Sequence, residues 1–278
     1  MSNLRQARNA LELVPGMDAD IAEITALEGG LVNRSFLVRP GGDAFALRVG
    51  LPTSATLIGV EASCERMVQQ AAADKGLAPE VVFADDGAGV YLTRYLPGRA
   101  WRAAELAEPD RLEALSMLLR DVHALPLCGG RLDLAAAGDR YAGCIAGHSG
   151  DEQFAARCTR VIRSVAVGDA LTCCHNDVVA GNIIENRRLW LIDWEFAGDN
   201  DPLFDLASLI GFHDMDDRCA DVLLSAYKDG SDPASRERLA ELVRAYDALQ
   251  WLWFAARQCL HPAAWQADRL EQLRARIR

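Results

Sequence analysis

The periodicity of the apolar residues changes once along this chain, at Leu96-Pro97-Gly98. Residues 1–14 are like an amphipathic helix. After them and before this break, alternating apolar residues and tight-turn sequences predict strands, and one segment has a helical period. The predicted strands are 20–28, 34–39, 43–49, 80–84 and 90–95, and the predicted helix is 59–76. The first part of the chain is therefore predicted to be β-rich, with one helix between its third and fourth strands.

After the break the sequence is mainly helical, with one short β insertion. The predicted helices are 109–125, 151–166, 203–213, 216–228, 234–259 and 263–277, and the inserted strands are 171–174, 182–185 and 189–192. A small β-rich unit followed by a larger helical unit is an α+β arrangement. We predict two lobes, 1–96 and 97–278, that meet at a hinge near 96–99.

The composition is that of a globular protein, since 50% of the 278 residues are apolar and 25% are charged. The chain carries 29 basic and 40 acidic residues, a formal net charge of −11. Such a chain is a poor candidate for a nucleic-acid partner, which requires a basic face. The charge suits a small cationic substrate, although an acidic soluble protein would also explain it. No run of apolar residues reaches the length that a membrane span needs, so no membrane partner is expected.

The eight cysteines do not predict a disulfide framework or a metal site, because they are spread along the chain without paired spacing. Their one cluster is Cys173-Cys174-His175. Adjacent residues of a strand point to opposite faces, so these two thiols are poorly placed to share a zinc ion. Residues 1–14 mix charged and apolar side chains and lack the apolar core of a secretory signal. We expect a cytoplasmic protein with reduced thiols.

Three polar residues with fixed spacing carry the strongest indication of chemistry. Asp177 follows His175-Asn176, Asn182 comes five residues later, and Asp193 ends a short apolar strand. Phosphoryl transfer needs an Asp beside the attacking hydroxyl, and an Asn and a second Asp around the magnesium ions that bridge the ATP phosphates. A loop followed by a two-stranded hairpin would bring these side chains to one edge. The spacing predicts a catalytic Asp177 and the magnesium ligands Asn182 and Asp193.

The pattern His-x-Asp-x-x-x-x-Asn followed by Ile-Asp-Trp-Glu resembles that of the aminoglycoside phosphotransferase and choline kinase superfamily, a branch of the protein-kinase fold. The resemblance covers nearly the whole chain. It implies a kinase-like fold with a small β-rich first lobe, and ATP as the co-substrate with Mg²⁺ as the cofactor. It also implies that His175 braces the catalytic loop without transferring a proton, and that Asp205 is a structural acid that holds this loop.

The segment from Gly29 to Ser35 lies between two predicted strands, where the resemblance places a loop that covers the phosphates. Glycines such as Gly30 let backbone N–H groups approach phosphate oxygens, and Asn33 and Ser35 can add side-chain donors. By itself, a Gly-Gly sequence between strands is more often a simple hairpin. Its position favours the phosphate-binding interpretation.

Arg48 occupies the third-strand position that holds Lys in most proteins of this fold. The planar guanidinium can hold the α- and β-phosphates with two donors, so this departure need not abolish function. Its predicted partner on the helix is Glu65, with Glu61 one turn earlier as the alternative, and either could instead be a solvated surface residue. Leu96, at the break, is predicted to offer its backbone to adenine.

The segment Ile192–Gly198 and the following Asn200-Asp201-Pro202 resemble those of choline/ethanolamine and thiamine kinases, whose substrates are cationic primary alcohols. A quaternary ammonium is best held by aromatic faces with a carboxylate nearby. Glu195 and Trp253 are therefore the predicted substrate-binding residues. Trp253 also falls on an apolar stripe of its helix and could simply be part of the core.

Two functional hypotheses from different classes follow. The first is an ATP-dependent kinase of a small cationic alcohol such as choline or ethanolamine, with thiamine and then aminoglycosides as alternative acceptors. The second is a pseudokinase-like module that binds its ligand without turnover. A degenerate module usually loses the base or a metal ligand, whereas this chain keeps Asp177, Asn182 and Asp193. The kinase is favoured, and the oligomeric state stays open.

Overall fold

Five antiparallel strands and two helices form the first part of the chain in a computed structural model, which describes residues 3–27, 33–51, 62–147, 150–165, 168, 170–230, 232–260 and 267–277. The elements are α1 (Asn3–Leu11), β1 (Glu23–Ala26), β2 (Arg34–Arg39), β3 (Phe45–Val49), α2 (Ala62–Asp74), β4 (Val81–Asp85) and β5 (Val90–Arg94). The strand order in the sheet is β1-β2-β3-β5-β4.

The two faces of this sheet have different roles because alternate residues of a strand point to opposite sides. One face packs with α1 in a core that includes Leu11, Phe36 and Leu47. On the other face, the pairing of β2, β3 and β5 places Ser35 opposite Arg48, and Arg48 opposite Tyr91. This register aligns three polar or aromatic side chains across neighbouring strands.

The second part of the chain is mainly helical. Its elements are β6 (Arg99–Ala100), a 3₁₀ turn (Ala103–Ala107), α3 (Pro109–His123), α4 (Leu134–Ile145), α5 (Glu152–Ser164), β7 (Thr172–Cys174), a 3₁₀ turn (Ala180–Asn182), β8 (Ile183–Asn186), β9 (Arg188–Leu191), β10 (Gly198–Asn200), α6 (Leu203–His213), α7 (Asp217–Lys228), α8 (Pro233–Leu260) and α9 (Ala267–Arg276). One apolar core packs α6 against α3 and α7, and a second packs α8 against α4, α5 and α9. None of the described helices is long and apolar enough to cross a membrane.

The predicted α+β class and the order of three strands, one helix and two strands are confirmed. The bounds predicted for β2 and α6 agree with the structure, while the predicted positions 59–61 and 263–266 lie outside the described residues. Three of the described strands and α-helices were not predicted: β6, α4 and β10. The segment of α4, LAAAGDRYAGCI, has no clear apolar period, and β10 consists of Gly-Asp-Asn, which disfavours strands. β10 forms because it pairs with β7, with Gly198 opposite Cys174.

The predicted hinge is the link between β5 and β6, and it packs closely on β8. A Cβ atom at Gly98 would lie 2.5 Å from Cγ2 of Ile184 and 2.9 Å from the carbonyl oxygen of Glu185. Asn186 also donates its side-chain amide to the carbonyl oxygen of Pro97. Position 98 therefore requires glycine for the close approach of two backbones. The division into lobes 1–96 and 97–278 stays a prediction.

Replacing Gly98 by Ala should destabilise the protein because the added methyl group must displace Ile184 or the hinge. We expect the free energy of unfolding to fall by about 1–3 kcal/mol, as for other overpacked sites. Urea unfolding followed by circular dichroism measures this change. Gly143→Ala, in α4, is the matched control, because no atom lies within 4 Å of its added Cβ. A Gly98→Ala protein as stable as the native one would show that the hinge tolerates a side chain.

Candidate active site

A cavity of about 750 Å³ lies between the first sheet and the helical part of the chain. It brings together most of the residues that the sequence singled out. The predicted residues that line it are Asn33, Ser35, Arg48, Leu96, Asp177, Asn182, Asp193, Glu195 and Trp253. Glu65, His175 and Asp205 are buried behind this lining, and Gly30 and Glu61 lie outside the described residues.

Asp205, in the first turn of α6, holds the start of the catalytic loop. Its fully buried carboxylate accepts the backbone N–H groups of His175 and Asn176 at 3.0 and 2.6 Å. It also accepts Nε2 of His123 at 2.9 Å, and Nδ1 of that ring contacts the hydroxyl of Tyr227 at 2.7 Å. Burial alone would raise the pKa of Asp205, but the hydrogen bond and charge of His123 outweigh it and lower the pKa. The carboxylate is thus ionised and accepts two backbone N–H groups of this loop.

Asn176 ties the same loop to the segment after Asp193. Its φ of 65° lies in the left-handed region, which Asn tolerates better than most residues. Its side-chain nitrogen donates to the carbonyl oxygens of Phe196 and Gly198 at 3.0 and 3.2 Å, and its side-chain oxygen accepts from Asn200 at 2.9 Å. The two chain segments that carry Asp177 and Asp193 are therefore joined through one side chain.

His175 has the geometry of a brace. Its fully buried ring packs against Trp194 with centroids 4.7 Å apart, and Nε2 lies 3.0 Å from the carbonyl oxygen of Ile192. Because a carbonyl only accepts, Nε2 carries the hydrogen and Nδ1 accepts the backbone N–H of Asp177 at 3.3 Å. Burial lowers the pKa of His175, so the ring stays neutral. It orients Asp177 and does not reach the cavity.

Asp177 lies on the cavity wall with its carboxylate next to Asn182. The side-chain nitrogen of Asn182 donates to the backbone oxygen of Asp177 at 3.0 Å and to its Oδ2 at 3.2 Å. Burial raises the pKa of Asp177 to about 7, the charge of Asp193 adds to the shift, and the hydrogen bond from Asn182 opposes it. A carboxylate with this pKa can accept a proton from a bound hydroxyl near neutral pH.

Asn182 and Asp193 fit a magnesium site. Both donors of the Asn182 amide point to Asp177, which leaves its oxygen as the atom that can bind a cation. Asp193 has a φ of 65°, and its side chain is 42% exposed at the cavity. An amide oxygen and a carboxylate are ligands that Mg²⁺ accepts together with phosphate oxygens and water.

Arg48 connects the first sheet to both α2 and the segment around Asp193. Its guanidinium nitrogens lie 2.6 Å from Glu65, 3.4 Å from Asp193 and 3.6 Å from Glu195. The guanidinium also covers the ring of Tyr91 at 4.8 Å from the ring centre. Of the two helix partners considered from the sequence, the structure places Glu65 beside Arg48. One side chain that lines the cavity thus faces three carboxylates.

Glu195 lines the cavity, and its role in substrate binding stays a prediction. It is 7% exposed, and its Oε2 accepts a hydrogen bond from the side chain of Asn33 and lies near Arg48. The structure therefore puts Glu195 among the residues predicted for the nucleotide. Asn33, which was predicted to donate to a phosphate, donates here to Glu195. Ser35 and Leu96 line the cavity, and their contacts with a nucleotide stay a prediction.

Aromatic side chains from the part of the chain after the hinge also line the cavity, and we call them its aromatic wall. They include Tyr141, Phe196, Phe212, Tyr246, Trp253 and Phe254. Trp253 is partly exposed and meets Phe254 edge-on at 5.0 Å. Trp251, two residues earlier, is fully buried against Phe154 and belongs to the core. Tyr141 was missed because it lies on α4, whose sequence did not predict a helix.

The comparisons with known proteins agree with this geometry. Residues 23–242 match the phosphotransferase enzyme family. Protein LicA of Haemophilus influenzae is 27% identical over 210 residues, which are 72% of this chain and 61% of that protein. This chain thus matches about three-fifths of the length of this curated relative.

Two solved structures show the fold along nearly the whole chain. A choline/ethanolamine kinase family protein from Mesorhizobium loti is 25% identical, with a TM-score of 0.74 over 98% of this chain and 93% of that one. The choline kinase LicA from Streptococcus pneumoniae is 21% identical, with a TM-score of 0.75 over 92% of this chain and 94% of that one. Both extend beyond the predicted catalytic segment into the C-terminal helices.

Replacing Arg48 by Ala should weaken the binding of MgATP. Charge-assisted hydrogen bonds to phosphate contribute about 1.5–3 kcal/mol, so we expect a loss of roughly ten- to a hundred-fold in affinity. Arg48→Lys should lie between Ala and the native protein, because it keeps the charge and loses the fork. Isothermal titration calorimetry measures both affinities.

Arg66→Ala is the control for this experiment. Arg66 is the neighbour of Glu65 on α2, is 46% exposed and pairs only weakly with Asp86 at 3.2 Å, outside the cavity. Its MgATP affinity should stay within about two-fold of the native value. Equal affinities of the Arg48→Ala and Arg66→Ala proteins would show that another residue holds the phosphates.

Proposed function

The chain belongs to the phosphotransferase enzyme family, and from this premise we propose that it transfers the γ-phosphoryl group of ATP to the hydroxyl of a small cationic alcohol such as choline or ethanolamine. Mg²⁺ is the proposed cofactor and the cytoplasm the proposed site of action. One observation carries the proposal: a single cavity is lined by Asp177, by the proposed phosphate and metal ligands Arg48, Asn182 and Asp193, and by aromatic side chains.

In this proposal, Arg48 donates to the nucleotide phosphates. Asn182 and Asp193 would hold Mg²⁺, whose charge would offset the negative charge of the transferred group. Glu65, on α2, forms a salt bridge of 2.6 Å with Arg48 and holds its guanidinium in position. The charged groups needed for phosphoryl transfer thus lie in place before the substrates bind, which is the main contribution a protein can make to this reaction.

At the acceptor end, Asp177 accepts the proton of the attacking hydroxyl. The ring of His175 accepts the backbone N–H of Asp177, and the amide of Asn182 donates to its carboxylate. These two hydrogen bonds hold Asp177 in position. Phosphoryl transfer demands little covalent chemistry from the protein, so the alignment of the hydroxyl with the γ-phosphate is what this arrangement supplies.

The aromatic wall and the acidic charge of the chain favour a cation as the rest of the acceptor. Ring faces attract a quaternary ammonium, and a desolvated contact of this kind contributes about 2 kcal/mol. The formal net charge of −11 adds a long-range attraction for cations. The printed names of the Mesorhizobium and Streptococcus structures, a choline/ethanolamine kinase family protein and a choline kinase, point to the same class of acceptor.

Choline should be a far better acceptor than 3,3-dimethylbutanol, its neutral isostere with the same reacting hydroxyl. Loss of a cation–π contact of about 2 kcal/mol corresponds to roughly a thirty-fold lower kcat/KM. ADP release in a coupled assay measures both substrates. In Trp253→Leu the ratio should shrink, because an apolar wall remains while the ring face is gone.

Trp190→Leu is the matched control, since Trp190 is on β9, outside the cavity lining, and packs with Arg188. Its ratio of choline to isostere should equal the native ratio. Equal turnover of choline and 3,3-dimethylbutanol by the native enzyme would contradict a site selective for cations. Turnover of thiamine or of an aminoglycoside, without turnover of choline or ethanolamine, would replace the proposed acceptor.

A further inference from the structure

Arg269, on the C-terminal helix α9, fixes the orientation of one amide that borders the cavity. Its Nε and Nη2 lie 3.0 and 2.6 Å from Oε1 of Gln250 on α8. A guanidinium only donates hydrogen bonds, so the Gln250 atom that faces it must be the oxygen. The amide nitrogen of Gln250 then faces the opposite way, 3.1 Å from the hydroxyl oxygen of Tyr246.

This orientation decides what the hydroxyl of Tyr246 can do. Its oxygen accepts the hydrogen bond from Gln250, so its own O–H hydrogen is left for another partner. Within the described ranges, no protein group accepts that hydrogen. Tyr246 and Gln250 line the same cavity as Asp177. The hydrogen bonds from Arg269 to Gln250 and from Gln250 to Tyr246 thus leave an O–H donor on a residue that lines this cavity.

The ring of Tyr246 is also held in one position. A Cβ atom on Gly211 of α6 would lie 2.6 Å from Cδ1 of Tyr246, so only glycine allows the ring to pack so closely there. Phe204 meets the other part of the ring edge-on at 5.9 Å. Burial raises the pKa of Tyr246 well above its usual range, and the charge of Asp177 adds to the shift. The hydroxyl therefore stays protonated and remains a donor.

We propose that Tyr246 binds the acceptor by donating its O–H to the oxygen of the reacting hydroxyl, and that Gln250 and Arg269 are positioning residues that aim it. The inference rests on the proposed function, because it concerns the alcohol that the cavity phosphorylates. The alcohol would give its hydrogen to Asp177 and one lone pair to Tyr246. Its second lone pair would then face the phosphorus atom.

The same contact distinguishes the two ends of an amino alcohol. A hydroxyl oxygen has lone pairs that accept the Tyr246 hydrogen, whereas a protonated amine has none. An ammonium placed beside Asp177 would leave the Tyr246 donor without an acceptor, which is costly in a buried site. Tyr246 thus selects the hydroxyl end of ethanolamine for the reacting position, and the other rings of the aromatic wall take the ammonium end.

Tyr246→Phe keeps the ring and removes the donor. A neutral hydrogen bond of about 1 kcal/mol corresponds to about a five-fold change, so we expect the KM for choline to rise about five-fold. The contact exists as soon as the acceptor binds, so kcat should stay within about two-fold and the KM for ATP should not change. A purely structural defect would lower kcat through loss of folded enzyme and leave the KM for choline unchanged.

The positioning residues are tested in the same assay. Gln250→Leu and Arg269→Gln should each raise the KM for choline, and the double variant Tyr246→Phe with Gln250→Leu should be no worse than Tyr246→Phe alone. Arg276→Gln is the matched control on α9. Arg276 also donates to the carbonyl oxygen of Gly211 and binds Asp247, without contact to Gln250. The Arg276→Gln variant should have a lower Tm and the native KM for choline.

The panel is assayed with choline, ethanolamine, thiamine and kanamycin as acceptors. If the native enzyme phosphorylates one of them and Tyr246→Phe has the native KM for it, the inference is wrong and the proposed class of enzyme stands. Additive effects in the double variant would contradict the proposed role of Gln250 in positioning the hydroxyl of Tyr246. A native enzyme that phosphorylates none of the four would contradict both the proposed function and the contact with Tyr246.

Discussion

The buried carboxylate of Asp205 is the interaction on which the rest of the site depends. Removing a carboxylate from water costs several kcal/mol, and here the cost is offset by two backbone N–H groups and the ring of His123. The backbone donors belong to His175 and Asn176, so the chain just before Asp177 has one conformation. Because a buried charge without its partners is very unfavourable, loop conformations that break these hydrogen bonds are destabilised.

Two asparagines connect this loop to neighbouring segments. Asn176 makes three hydrogen bonds to the segment after Asp193. Asn182, at the start of the hairpin of β8 and β9, donates a hydrogen bond to the carboxylate of Asp177. Arg48 then connects the segment around Asp193 to β3 and α2. The proposed base, the proposed metal ligands and the proposed phosphate donor are thus parts of one hydrogen-bonded network.

Local patterns in the sequence predicted most of the catalytic segment, because Asp177, Asn182 and Asp193 are brought together by a short loop and hairpin. The bounds of α6 were also predicted from a local pattern, since seven of its eleven residues are apolar. The helix and the side-chain contacts that local patterns did not predict depend on tertiary packing. Tyr141 lies on a helix that only its packing against α5 and α8 reveals. Glu195 contacts Asn33, and Arg269 contacts Gln250. The residues of each pair are distant in sequence.

The most direct test compares two single variants of the native chain, Asp177→Ala and Asp193→Ala, in MgATP binding and in turnover of the acceptor. If Asp177 is the base, its loss should lower kcat by roughly 10²–10⁴-fold and change the MgATP affinity little. If Asp193 holds the metal, its loss should abolish the magnesium dependence of ATP binding. Calorimetry with and without Mg²⁺ separates the two. Near-native turnover by Asp177→Ala, or magnesium-dependent ATP binding by Asp193→Ala, would contradict the account.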